Sequence, residues 1–160
     1  LNGGLKKWIF ENKPITKLTT EIIKSNYVTN EKENLVVSFD QIKKNILSKS
    51  FNVIDARSLE RFEGKVSEPR KGLRSGHIQN SFCLPFNQCI NQKTGEFKNL
   101  EELRELFNQN ENIEKRLDQV FTCGSGVTAA VLAYAYKMVN NDYIPKIYDG
   151  SWSEYGKYPA

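Results

Sequence analysis

From Leu35 onward, short apolar runs alternate with stretches whose apolar residues recur at helical spacing. Leu35–Phe39 is rich in β-formers and predicts a first strand, followed by Asp40 as N-cap and a helix over Gln41–Leu47. Phe51–Asp55 predicts a second, more apolar strand, and Asn80–Phe86 a third, closed by Pro85. Leu100, Leu103, Leu106 and Phe107 share one face of an amphipathic helix. Gln119–Cys123 then forms a short strand that runs directly into a glycine-rich turn. Val127–Val139 is nearly all apolar, which predicts a buried helix. Lys146–Asp149 gives a last strand and Trp152–Tyr155 a short helix. Strands that alternate with helices in this way require crossover connections. The expectation is an α/β fold with a mostly parallel central sheet covered by helices on both faces.

The N-terminal stretch breaks this pattern. Gly3-Gly4-Leu5-Lys6-Lys7-Trp8 reads as a glycine turn opening a short helix, which Asn12-Lys13-Pro14 would stop. Its few apolar residues cannot build a core, so it is either a docked tail or the end of a preceding domain. Residues 21–34 are polar and rich in Asn and Lys, as suits a connector on the surface. The first residue is Leu rather than Met, so the chain is expected to be cut from a longer one.

Composition narrows the class. With 160 residues, 39% hydrophobic and 26% charged, the chain suits one ordinary domain and is too evenly mixed to be disordered. Its longest apolar run, Val127–Tyr136, is about half of the ~20 residues that span a bilayer, so no membrane segment is expected. Lys and Arg together number 23 against 19 Asp and Glu, without a basic block. No direct nucleic-acid surface is therefore expected, and the excess suits attraction of small anions. Three cysteines at irregular spacing cannot complete a disulfide framework, and they read as reduced thiols in an intracellular compartment. Their spacing matches no zinc site, and no metal or other cofactor is called for.

The chemistry concentrates where a strand meets a helix. In Val120-Phe121-Thr122-Cys123-Gly124-Ser125-Gly126-Val127-Thr128 the cysteine stands at the carboxyl end of a strand, the usual ligand position in such sheets. Two glycines let the backbone curl so that several N–H groups point into one cavity, and the following helix adds the positive end of its dipole. Both would stabilise a thiolate and make Cys123 a nucleophile. The competing reading is a buried structural cysteine that ends a strand. A cysteine phosphatase would carry an arginine at the far end of this loop to clamp phosphate. Ala129 occupies that place, and no arginine follows Cys123 anywhere. A smaller anionic group, such as a sulfur carried on the cysteine, suits the loop better.

Cys123-Gly124-Ser125-Gly126-Val127-Thr128-Ala129 resembles the active-site loop of the 3-mercaptopyruvate sulfurtransferases within the rhodanese family. The thiosulfate enzymes of that family carry a basic pair where this chain has Gly124-Ser125. The resemblance continues, in order, through Asp55-Ala56-Arg57, Arg61-Phe62-Glu63-Gly64, Glu68-Pro69-Arg70-Lys71-Gly72, Gly76-His77-Ile78 and Tyr148-Asp149-Gly150-Ser151-Trp152. Members have two tandem rhodanese domains with the cysteine in the second. The resemblance thus implies that residues 1–20 are the end of a preceding rhodanese domain with its linker, and 21–160 the catalytic one.

It also implies residue roles. Cys123 becomes the nucleophile that carries a persulfide, and Ser125 a proton-handling residue. Arg61 and Arg70 would hold the donor's carboxylate and keto oxygen, a task suited to bidentate guanidinium groups. Gly124, Gly126, Val127 and Thr128 complete the substrate-binding loop. His77, the lone histidine, is expected to be structural, and Asp55 and Arg57 to brace the loop. Cys83 is expected to be buried and inert, Cys89 more exposed, and Trp152 to wall the pocket or simply pack. The implied reaction moves sulfur from 3-mercaptopyruvate to a thiol or a sulfur-carrier protein such as thioredoxin, in the cytoplasm or mitochondrion, with tRNA thiolation one destination. The alternatives are a thiosulfate:cyanide sulfurtransferase and a non-catalytic rhodanese-like module that docks sulfur carriers.

Overall fold

A computed structural model describes residues 1–30, 33–109 and 116–158. Among these, four parallel strands form one sheet in the order β2-β1-β3-β4: β1 Phe51–Asp55, β2 Ser81–Cys83, β3 Asp118–Thr122 and β4 Lys146–Ile147. Six helices accompany them: α1 Gly4–Phe10, α2 Phe39–Ser48, α3 Leu59–Phe62, α4 Leu100–Asn108, α5 Val127–Val139 and α6 Ser151–Tyr155. The α/β expectation holds.

Alternation along the two central strands divides the core. Ile54 and Phe121 face a cluster with Leu103 and Phe107 of α4 and Ala129, Leu132, Ala133 and Ala135 of α5. Val53 and Val120 face the opposite side, with Ile42 of α2, Tyr148 and Trp152. Helices therefore cover both faces. No helix among the described residues is long and apolar enough to cross a membrane.

Several boundaries differ from expectation. Leu35–Phe39 is not a strand: Val36 makes only an isolated parallel bridge to Ile147. The cap of α2 is Ser38 rather than Asp40. Its hydroxyl accepts from Gln41 N at 3.3 Å while Gln41 Oε1 accepts from Ser38 N at 2.7 Å. This reciprocal capping box starts the helix earlier, and Phe39 stacks on Tyr158 with 4.4 Å between ring centroids. The third strand contracts to Ser81–Cys83, because Pro85 starts a 3-10 turn at Phe86–Cys89. β4 ends at Ile147, since the following residues turn into α6. Finally, α5 is not buried all round. Val127, Ala130 and Tyr134 remain exposed on the side away from the sheet.

At the N-terminus α1 docks on the loop before α4. Asn2 Oδ1 accepts from Phe97 N at 2.9 Å, and Lys7 pairs with Glu96 at 3.3 Å. Residues 13–30 are exposed and without regular structure.

Candidate active site

The register aligns Asp55 of β1 with Cys83 on one side and Thr122 of β3 on the other, so the carboxyl ends of three strands lie level. The chain leaves β1 toward β2 and leaves β3 toward β4, in opposite directions. The crevice between the two departures is the ordinary ligand position of a parallel sheet. Two loops meet there: the one after β1, with Arg57, Arg61, Glu68 and Arg70, and the one after β3, with Cys123. They enclose an open cleft of about 330 Å³ lined by Arg61, Pro69, Arg70, Cys123, Gly124, Ser125, Val127 and Thr128.

The Cys123 loop is held with its carbonyls turned away from the cleft. Cys123 O accepts from Trp152 N and Gly124 O from Ser153 N, each at 2.9 Å, so the first turn of α6 gathers them. Arg70 Nη1 also donates to Gly124 O, at 3.3 Å. With these carbonyls gathered by α6, the amides of Ser125, Thr128 and Ala129 are left to face the sulfur. Helix α5 has no side-chain cap, and the sulfur fills that place: Ser125 N donates to Cys123 Sγ at 3.4 Å, joined by the amides of Thr128 and Ala129 and the Thr128 hydroxyl. Burial pushes the Cys123 thiol up, but these donors outweigh it and bring it below the usual thiol value. Burial pushes Cys83 and Cys89 up as well, and there it prevails, to about 12 each.

Gly126 does not join the cradle. Its N–H donates at 3.0 Å to Ser151 Oγ, behind the loop, and its left-handed φ of 82° with Asp149 Oδ1 close by leaves no room for a Cβ. Ser151 is the residue that sequence reasoning passed over. Fully buried at φ 51°, it accepts from Cys123 N at 3.2 Å and from Gly126 N, and donates to Tyr148 O at 2.9 Å. One hydroxyl thus ties both ends of the loop to the turn after β4. Its signal in sequence was only membership of the Tyr148–Trp152 string, since nothing local marks a serine as buried.

The arginines behave differently from each other. Arg61 Nη2 and Nε donate to Glu68 Oε2 at 2.6 Å and Oε1 at 3.2 Å. Arg57, wholly buried, pairs with Glu68 Oε1 at 2.9 Å and Asp55 Oδ2 at 2.7 Å and lies 4.5 Å over the Trp152 ring. Trp152 is packing, buried behind the loop, and its Nε1 donates to Arg74 O. Asp55 and Arg57 brace the loop as expected. His77 Nδ1 lies 2.8 Å from Phe62 O, and its ring stacks on Phe62, away from the cleft lining. Cys89 is not exposed but fully buried in the α4–α5 core, while Cys83 is half-buried because β2 is an edge strand. Ser125, Val127 and Thr128 line the cleft with Cys123, and Val127 is 73% exposed at its mouth.

Comparison with known proteins identifies the family. The chain is 35% identical over 155 residues to the human 3-mercaptopyruvate sulfurtransferase, covering 97% of this chain and 51% of that protein. It is 41% identical over 133 residues to the Arabidopsis thaliana mitochondrial thiosulfate/3-mercaptopyruvate sulfurtransferase 1, covering 83% and 34%. The crystal structure of Tum1 from Saccharomyces cerevisiae superposes with a TM-score of 0.83 at 25% identity, covering 96% of this chain and 55% of that one. The chain thus spans about half the length, or less, of these relatives. A model of the rhodanese-like domain matches residues 38–158, and this protein belongs to the rhodanese family.

Proposed function

We propose that the protein is a sulfurtransferase that moves sulfur from 3-mercaptopyruvate to a thiol acceptor through a persulfide on Cys123. The observation that carries this reading is the Cys123 sulfur, held by amides at the floor of a cleft that two arginines also line. The thiolate attacks the donor's sulfur, the carbon–sulfur bond breaks, and its electron pair leaves as pyruvate enolate, which takes a proton to become pyruvate. In this reading Ser125, which lines the cleft, passes that proton through its hydroxyl. The outer sulfur then goes to an acceptor thiolate, such as that of thioredoxin or another sulfur carrier, and Cys123 returns as thiolate. Amides aimed at sulfur stabilise both thiolate and persulfide.

Residues 21–160 would be the cysteine-bearing domain of a two-domain enzyme, with 1–20 closing the preceding domain, in keeping with relatives about twice as long. That first domain would be the partner that completes one wall of the cleft. The Arabidopsis relative is named as mitochondrial, and the mitochondrion or cytoplasm is the expected compartment here. The destination of the sulfur, tRNA thiolation included, follows from whichever carrier docks. A pure docking module has no use for a thiol held below its usual value, which disfavours that alternative.

The test is mass spectrometry of the protein after exposure to 3-mercaptopyruvate and, in parallel, to thiosulfate. A gain of one sulfur atom on Cys123, faster from mercaptopyruvate, is expected. Loading from neither donor, or on Cys83 or Cys89 instead, would overturn the assignment.

A further inference from the structure

Arg61 and Arg70 both border the cleft, but only one of them is electrically free. Arg61 meets a single carboxylate side-on, through Nε and Nη2 to Glu68, whose side chain is 1% exposed. Glu68 also holds Arg57, and Arg57 also holds Asp55. Two guanidinium groups and two carboxylates thus form a neutral quartet. Arg70, in contrast, donates to a carbonyl, Gly124 O, and forms no ion pair among the described residues. Gly124 matters here as well. A Cβ at that position would sit 3.0 Å from Arg61 Nη2, close enough that the guanidinium would have to give a little, so the missing side chain eases its packing against the cysteine loop.

Building on the sulfurtransferase reading, we propose that Glu68 sets the charge of the donor that Cys123 accepts. By neutralising Arg61 it leaves Arg70 as the one uncompensated guanidinium among the described residues of the cleft. The lining then matches a donor with a single negative charge rather than a dianion such as thiosulfate. The two arginines take different tasks. Arg70 supplies net charge for a carboxylate, and Arg61 supplies an oriented N–H for a neutral oxygen such as the keto group, its Nη1 making no hydrogen bond to a described residue. Glu68 is a positioning residue: it does not line the cleft but holds Arg61, and its negative charge subtracts from the positive field at the lining. Burial pushes the Glu68 carboxyl up, but the hydrogen bond from Arg61 and the charges of Arg57 and Arg61 outweigh it, so Glu68 is ionised at neutral pH.

The test compares two alkylating agents of nearly equal size on Cys123: iodoacetate, an anion, and iodoacetamide, which is neutral. Glu68→Gln keeps the shape and removes the charge. The rate ratio of iodoacetate to iodoacetamide, read by mass spectrometry of the Cys123 peptide, should rise about two- to tenfold at low salt and less at high salt. A brace with no electrostatic role would change both rates together, so an unchanged ratio in folded Glu68→Gln overturns the proposal. Should that variant fail to fold, the same change is read on an Arg61→Gln background, where the two partners leave together and Arg57 keeps Asp55. There the ratio should again rise, and equality with Arg61→Gln alone overturns the proposal. Sulfur loading gives the second readout, with Glu68→Gln gaining on thiosulfate relative to mercaptopyruvate. Wild-type protein that loads from neither donor sinks the sulfurtransferase reading, while the haloacetate ratio still measures the Glu68 charge.

Discussion

Ser151 occupies a backbone conformation that side chains ordinarily avoid, and its hydroxyl explains why it is there. Replacing it with Ala removes the acceptor of two buried amides, Cys123 N and Gly126 N, at about 1–3 kcal/mol for each group left without a partner. We expect Ser151→Ala to lower Tm and, because the loop loses its rear anchor, to move the alkylation profile of Cys123 to higher pH. A profile that stays in place would mean that the α6 amides on Cys123 O and Gly124 O hold the loop unaided. In the unaltered protein the three thiols should separate cleanly. Cys123 lies below the usual thiol value, so its rate of reaction with iodoacetamide should climb and level off at lower pH than that of a free cysteine. Cys83 and Cys89, at about 12, should still be climbing where Cys123 has levelled off. Cys123→Ser should abolish sulfur loading altogether, because a hydroxyl cannot carry a persulfide. Loading retained in that variant would pass the nucleophile to one of the other two cysteines.

At the scale of elements, α5 shows how a helix end can be left deliberately uncapped. Ser38 and Asn99 close the first turns of α2 and α4 with complete capping boxes, whereas α5 starts at Gly126 with no capping side chain. The free amides serve the sulfur instead. Ser38→Ala should therefore cost about 1 kcal/mol of stability, read by denaturant unfolding, with sulfur loading unchanged. Gly126→Ala should cost at least as much and also impair loading, since the left-handed backbone adds about 1–2 kcal/mol and Asp149 must move. Only the α5 half of this contrast was legible in the sequence, where the glycine turn before Val127 announced free amides; the cap of α2 was expected at Asp40 rather than Ser38. The absence of a strand at Leu35–Phe39 was less legible. Leu35–Phe39 has β-forming residues, but Ser38 and Gln41 satisfy each other three residues apart, and that local exchange wins over propensity. Burial of Cys89 was hidden for a similar reason: a 3-10 turn has too few residues to show a period.

Across the whole molecule, the cleft depends on a long excursion between β1 and β2 that has little regular structure. Sequence pattern reads periodic elements well, and it placed the four strands of the sheet, the longer helices and the cysteine loop. The single turn of α3 escapes it, and Leu35–Phe39 reads as a strand that does not form. The quartet of Asp55, Arg57, Arg61 and Glu68 has no period, and Glu68 meets Arg57 across eleven positions of irregular chain. Only the motif order hinted at it. Such a network ties the excursion to the strand ends and should leave its mark on stability against pH. Glu68 ionises below its ordinary value near 4.5, so its contribution is complete above that value and is lost as pH falls through the lower, folded one. Glu68→Gln removes that contribution at every pH. Urea midpoints of wild type and variant should therefore differ most near neutrality and converge in acid, where the protonated wild-type carboxyl resembles the amide. A difference that stays constant through the acid range would show that Glu68 stabilises the loop by shape alone, with its charge idle in folding.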